Sequence, residues 1–194
     1  ISWVTFLLIL TIQSICLSIE LNYHLKVDDK IAMMRRIVQY NVLGKTELKV
    51  SSLGLGTMTF GGQVDLKVAQ KIVDECIEIG INFFDTADVY QDGRSEEVLG
   101  ECLKKYRPTI ILATKVGMGP NLMLQSLSRR QIIDAVEMSL KRLKTDYIDL
   151  YQVHWPDRPY NPFAGKLEYE HQASDDVIKI NETLEGLSNL VKSG

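Results

Sequence analysis

"INFFDTADVY", residues 81–90, begins as a sheet interior and ends in polar chemistry. Ile81, Phe83 and Phe84 give a strand-length apolar run, and Asp85, Asp88 and Tyr90 follow within six positions. A run buried on both faces is the mark of a parallel strand between layers of helix. Ionisable groups at its carboxyl end lie where α/β folds collect their function.

Outward from this segment, the pattern repeats. Upstream, "IVQYNVLGKTELKVSSLGLGTM" (37–58) reads as a short hairpin turning at Leu43–Thr46, then a short apolar strand near Leu53–Gly56. A helix follows from Asp65, with Leu66, Ala69, Ile72, Val73, Cys76 and Ile77 at helical spacing; Asp65 can cap it and Gly80 can end it. Downstream, Ser95 reads as the cap of a second helix, with Glu96 and Glu97 in its first turn where they suit the helix dipole. "TIILATKV" (109–116) is a third strand. Ser128 with Gln131 reads as a capping box for a helix carrying Ile132, Val136, Leu140 and Leu143. "YIDLYQV" (147–153) is a fourth strand, and a last helix spans about 181–192. Four alternations of strand and helix predict βα units on a parallel sheet, either open or closed into a barrel.

Composition narrows the function. The 194 residues carry 22 basic and 25 acidic side chains, a net charge of -3, with no basic stripe, so nothing points to a nucleic-acid partner. Three cysteines, Cys16, Cys76 and Cys102, at unrelated spacings suit neither a disulfide framework nor a zinc site. Cys76 and Cys102 read as small buried hydrophobes in a reducing compartment, which points to the cytoplasm. Residues 1–19 hold no charge. Two readings stand for residues 1–32: an extension upstream of a start at Met33 or Met34, or a targeting or anchor segment that would make the protein secretory or membrane-bound.

Three strands aim ionisable groups at one rim: Asp85 after the second, Lys115 in the third, His154 after the fourth. With Tyr90 they form a connected set, whereas Asp88 reads as a cap of its loop or, in preference, as a solvated loop residue. "GLGTMTFGG" (54–62) fails as a dinucleotide fingerprint, since Thr59 stands where its third glycine belongs, but it still marks backbone that must approach something closely. His24 and His171 receive no role.

"LGLGTMTFG", "FFDTADVY", "ATKV" and "LYQVHWPDRP" resemble, in order and spacing, the strand-end motifs of the aldo-keto reductases. The resemblance is strongest to the branch of potassium-channel β-subunit-like and bacterial aldo/keto reductases. "YQDGRSEEVLG", "NPFAGKLEYE" and "ETLEGLSNLVKSG" are similar to that branch too, although Gln91 stands where a glycine is common. The resemblance covers about 37–194. It implies a (β/α)8 TIM barrel, here truncated to about its first four βα units and preceded by a short β-hairpin. It further implies an NADP(H)-dependent oxidoreductase that reduces aldehydes or ketones to alcohols.

Carried over, the resemblance makes Asp85, Tyr90, Lys115 and His154 a catalytic tetrad. Gly56, Thr57, Met58 and Asp85 would lie at the cofactor. Trp155, next to His154, reads either as part of an apolar substrate wall or as packing of the loop onto the barrel rim. The chemistry agrees: a carbonyl accepting hydride needs a proton donor, and Tyr90 can serve if the Lys115 ammonium favours its phenolate. Asp85 would hold the lysine, and His154 would orient the carbonyl oxygen. Two alternatives remain, a regulatory subunit of the channel β type and an inactive truncated product. An open half barrel would also self-associate through its unpaired edges.

Overall fold

A computed structural model describes residues 38–118, 126–157 and 177–194. The segment 1–32 and His24 and His171 lie outside them. Two short antiparallel strands, β1 (Tyr40–Val42) and β2 (Lys49–Ser51), form the predicted hairpin. Its turn is closed by Thr46 N–H and Thr46 Oγ1, both donating to Leu43 O, at 3.0 and 2.7 Å.

Then come β3 (Gly54–Gly56), α1 (Leu66–Glu78), β4 (Phe83–Asp85), α2 (Arg94–Leu103), β5 (Ile111–Val116), α3 (Arg129–Leu143), β6 (Leu150–Val153) and α4 (Ile180–Ser193). The strands β3-β4-β5-β6 lie in that order in one sheet, every pair parallel. Helical crossovers are what allow this arrangement, because parallel neighbours cannot be joined by a hairpin. The unreversed order of the four strands is that of consecutive units of a (β/α)8 barrel, as the resemblance implies.

Local chemistry sets the element ends. Asp65 accepts from Val68 N–H at 2.9 Å and caps α1. At the other end, Gly80 N–H reaches Ile77 O and Ile81 N–H reaches Cys76 O, with Gly80 left-handed, so two orphan carbonyls are satisfied. Ser128 caps α3 by accepting from Gln131 N–H at 3.4 Å. The reciprocal half of the predicted capping box differs: Ser128 N–H goes to Ser126 Oγ, and Gln131 Oε1 accepts from the Ser128 hydroxyl.

Strand register sorts side chains by period two. Leu55, Phe84 and Leu112 face the helices and join Val73, Leu99, Cys102 and Leu103 in the main core. Asp85 and Lys115 alternate with them and face inward. Cys76 and Cys102 are buried free thiols, and burial pushes them up to about 12 and about 11, so neither forms a reactive thiolate.

The layers press closely at Gly100, where a Cβ would lie 2.5 Å from the backbone oxygen of Leu143. A backbone obstacle cannot rotate away, so Gly100→Ala must part α2 from the end of α3. We expect a loss of about 1–3 kcal/mol in urea unfolding. Unchanged stability would contradict a close contact between α2 and the end of α3.

The hairpin is fastened at the amino end of the barrel. Ser51 N–H donates to Asn82 Oδ1 at 2.7 Å, Asn82 Nδ2 to Lys49 O at 2.9 Å, and Tyr40 OH to Gly80 O at 2.6 Å. The opposite, carboxyl end of the sheet is left to the candidate site.

Candidate active site

Asp85 is the last residue of β4 and is buried, Lys115 is the penultimate residue of β5, and His154 follows β6 directly. Tyr90 opens a tight 3-10 turn over Tyr90–Gly93, in which Gln91 and Asp92 are both left-handed. That conformation costs a non-glycine residue energy, which is why a glycine suits position 91. Here the Gln91 side chain supplies an anchor instead, donating from Nε2 to Met58 O at 3.1 Å. The turn carries the phenol back over the strand ends.

The four residues meet. Lys115 Nζ donates to Asp85 Oδ2 at 2.6 Å and to Thr86 O at 2.8 Å, and reaches Tyr90 OH at 3.5 Å, the long limit of a hydrogen bond. The Tyr90 and His154 rings stand edge to face, 5.6 Å apart. Burial, reinforced by the Lys115 ammonium and opposed by Asp85, lowers the His154 pKa below the ordinary imidazole value. At neutral pH this histidine is therefore an uncharged hydrogen-bonding group. Its Nδ1 is buried without a partner among the described residues.

The turn 54–62 contributes differently. Gly56 pairs in register with Asp85, but Thr57 is fully buried and all its polar groups are engaged within the protein. Its N–H and hydroxyl go to Asp85 O, and its carbonyl accepts from Ser95 Oγ at 2.6 Å. Of the three turn residues, Met58 presents its side chain at the surface. The close approach foreseen for these glycines is to the chain itself: a Cβ on Gly54 would lie 2.8 Å from the Phe83 ring, and one on Gly62 2.3 Å from the Gln91 side chain. Trp155 is half-buried, its indole N–H unpartnered among the described residues.

Two sequence readings need correction. Ser95 does not cap α2; the helix starts at Arg94 after a left-handed Gly93, and the Ser95 hydroxyl lies within 3.0 Å of Thr86 Oγ1 while bridging to Thr57. Glu96 lies in the first turn of α2 as expected, and it is wholly buried, accepting from Thr114 Oγ1 and from Arg142 Nε, each at 2.6 Å. Asp88 is not a solvated loop residue, because its Oδ1 is buried without a partner among the described residues.

Burial first, then the Glu96 charge, pushes the Asp88 carboxyl up to about 7, against the pull of Arg142 and Lys115. A raised carboxyl pKa means that the fold prefers the protonated form. Its contribution to stability is complete below the ordinary value of ~4 and is lost as the pH rises towards about 7. Asp88→Asn should flatten that slope and stabilise the protein at pH 8 by on the order of 2 kcal/mol. Urea unfolding measured from pH 4 to 8 reads this, and parallel profiles for the two proteins would refute it.

Sequence reasoning also missed Gln152. Its Nε2 donates to Asp85 Oδ1 at 3.2 Å. The available signal was its position two residues before His154 in a strand, hence on the same face.

The profile of the Aldo/keto reductase family matches residues 52–194. The chain belongs to the aldo/keto reductase family. Protein tas of Escherichia coli (strain K12) is 39% identical over 175 residues, 81% of this chain and 49% of the relative. A probable voltage-gated potassium channel subunit beta of Arabidopsis thaliana is 44% identical over 127 residues, covering 62% and 38%. Among solved structures, the aldo-keto reductase AKR11C1 from Bacillus halodurans in its holo form superposes with a TM-score of 0.65 at 40% identity, over 81% of this chain and 47% of that one. The chain thus spans about half or less of the length of each of these three proteins. Among the described residues, no helix is long and apolar enough to cross a membrane.

Proposed function

We propose that this chain carries the proton-transfer centre of an NADPH-dependent oxidoreductase that reduces aldehydes or ketones to alcohols. The observation that carries the reading is the hydrogen-bonded series Asp85–Lys115–Tyr90 beside an uncharged His154. Family membership and a holo-form structural relative support a nicotinamide cofactor.

The residues present fit such a group at its reactive end. The rim gathers a phenol, an ammonium and a buried imidazole nitrogen without a partner, a set suited to a carbonyl beside a nicotinamide. Met58 and the Gly56 backbone would border the cofactor, with Asp85 beneath. When bound, NADPH supplies the hydride.

The protein's own side chains manage the proton. Tyr90 donates it to the carbonyl oxygen as negative charge develops there. Lys115, held by Asp85 and Thr86 O, keeps a positive charge against the phenolate left behind. His154, uncharged, directs an N–H at the same oxygen and fixes the carbonyl's orientation. Trp155 forms part of the wall beside it. Location in the cytoplasm accords with two buried, unreactive thiols.

The test is aldehyde-dependent consumption of NADPH, with detection of the alcohol. Alcohol in proportion to cofactor consumed is expected, and aldehyde left intact by protein that binds NADPH would refute the reading. The identity to a potassium channel subunit beta favours one other reading, a binding subunit whose cofactor is a redox signal. Recovery of a channel protein with the tagged chain would support it, and recovery of the chain alone would count against it.

A further inference from the structure

We propose that Gln152 is a positioning residue that locks the Asp85 carboxylate so that Lys115 stays aimed at Tyr90. This rests on the reading of Lys115 as the group that assists Tyr90.

Gln152 lies on β6 in register with Lys115 on β5, and Asp85 lies one strand further on, on β4. The Gln152 amide therefore reaches across the strand that carries the lysine to the far carboxylate, where Nε2 donates to Oδ1 at 3.2 Å. Only the amide nitrogen can donate to a carboxylate, which fixes the amide's orientation. The other carboxylate oxygen, Oδ2, accepts from Lys115 at 2.6 Å.

The second donor matters because the terminal torsion of an aspartate is broad and poorly fixed by its own rotamer preference. With one donor, the carboxylate can swing about that bond. With a donor on each oxygen its plane is set. The buried site gives Oδ1 little water to turn to, since Asp85 is 7% exposed.

The effect passes on through Lys115. An ammonium has three donors; one is on Asp85 and one on Thr86 O, which leaves the third for Tyr90 OH. The direction of the third is determined by the other two. Loss of the Gln152 bond would free the carboxylate, and with it the lysine, without any direct contact between Gln152 and Tyr90 being needed.

The test reads Lys115 directly and does not depend on turnover. The whole chain and its variants are treated with acetic anhydride at fixed pH, and the rate at each lysine is followed by peptide mass spectrometry. Asp85→Asn serves as the reference for a released lysine. Gln152→Leu, and Gln152→Asn, whose amide is too short to span β5, should each raise the rate at Lys115 about tenfold, the effect of losing one charge-assisted bond. The exposed Lys67 and Lys141 should react as before. Either Gln152 variant, if folded, suffices.

Wild-type protection of Lys115 in the Gln152 variants, with release in Asp85→Asn, overturns the proposal and leaves the proposed centre standing. A rise at all lysines alike also overturns it, because it means lost packing. Protection that persists in Asp85→Asn removes the Asp85–Lys115 pairing itself, and the proposed centre fails with it.

Discussion

Under the proposed function, Tyr90→Phe should remove nearly all carbonyl reduction while leaving NADPH binding unchanged. The phenol oxygen, the proposed proton donor, lies 3.5 Å from the Lys115 ammonium, on a ring that meets His154 edge to face. Phenylalanine keeps the ring, and so the packing of the turn, but it has no proton to give. Positioned general acids contribute about 10²–10⁴ in rate, and kcat should fall by a factor in that range. Single-turnover kinetics separates this loss from product release, and fluorescence titration gives the cofactor Kd. A rate within twofold of wild type would assign the proton to another donor.

Arg142→Met should be the most damaging substitution away from the site. Arg142 is the partner of Glu96, which sits wholly buried on α2, and the bond between them spans from α3 at 2.6 Å. Removing the arginine leaves a buried carboxylate with Thr114 Oγ1 as its remaining donor among the described residues. Breaking a buried pair from one side costs about 3–5 kcal/mol, because the surviving charge keeps its desolvation penalty. The double variant Glu96→Gln, Arg142→Met has no orphaned charge and should recover about half of that loss or more. Urea unfolding of the two single variants and the double variant reads the cycle. Additive losses would show that the two groups are independent.

The fold was legible because its signals are local. Apolar runs ending in Asp85 and Lys115, helical spacing from Leu66 to Ile77, and the caps Asp65 and Ser128 are each set by neighbours in sequence. The site was legible for a related reason: in parallel sheets the strand ends converge, so ionisable residues after apolar runs meet. What was missed depends on distant partners. Nothing near Glu96 announces that Arg142, 46 positions away, will bury it. Ser95 has the chemistry of a cap, but Gly93 begins the helix earlier and Thr57 claims the hydroxyl. Asp88 looked solvated because its burial depends on how α2, α3 and β6 close around the loop.

The central claim is that a hydride arrives at a carbonyl carbon while Tyr90 protonates the oxygen. The most direct measurement uses NADPH deuterated at the transferring position of the nicotinamide, with one equivalent of an aromatic aldehyde, and examines the alcohol by mass spectrometry. The account predicts one deuterium on the carbinol carbon with the wild-type protein and, over the same interval, about a hundredth as much labelled alcohol or less with Tyr90→Phe. Unlabelled alcohol from the wild type, or equal labelled product from both proteins, would contradict it.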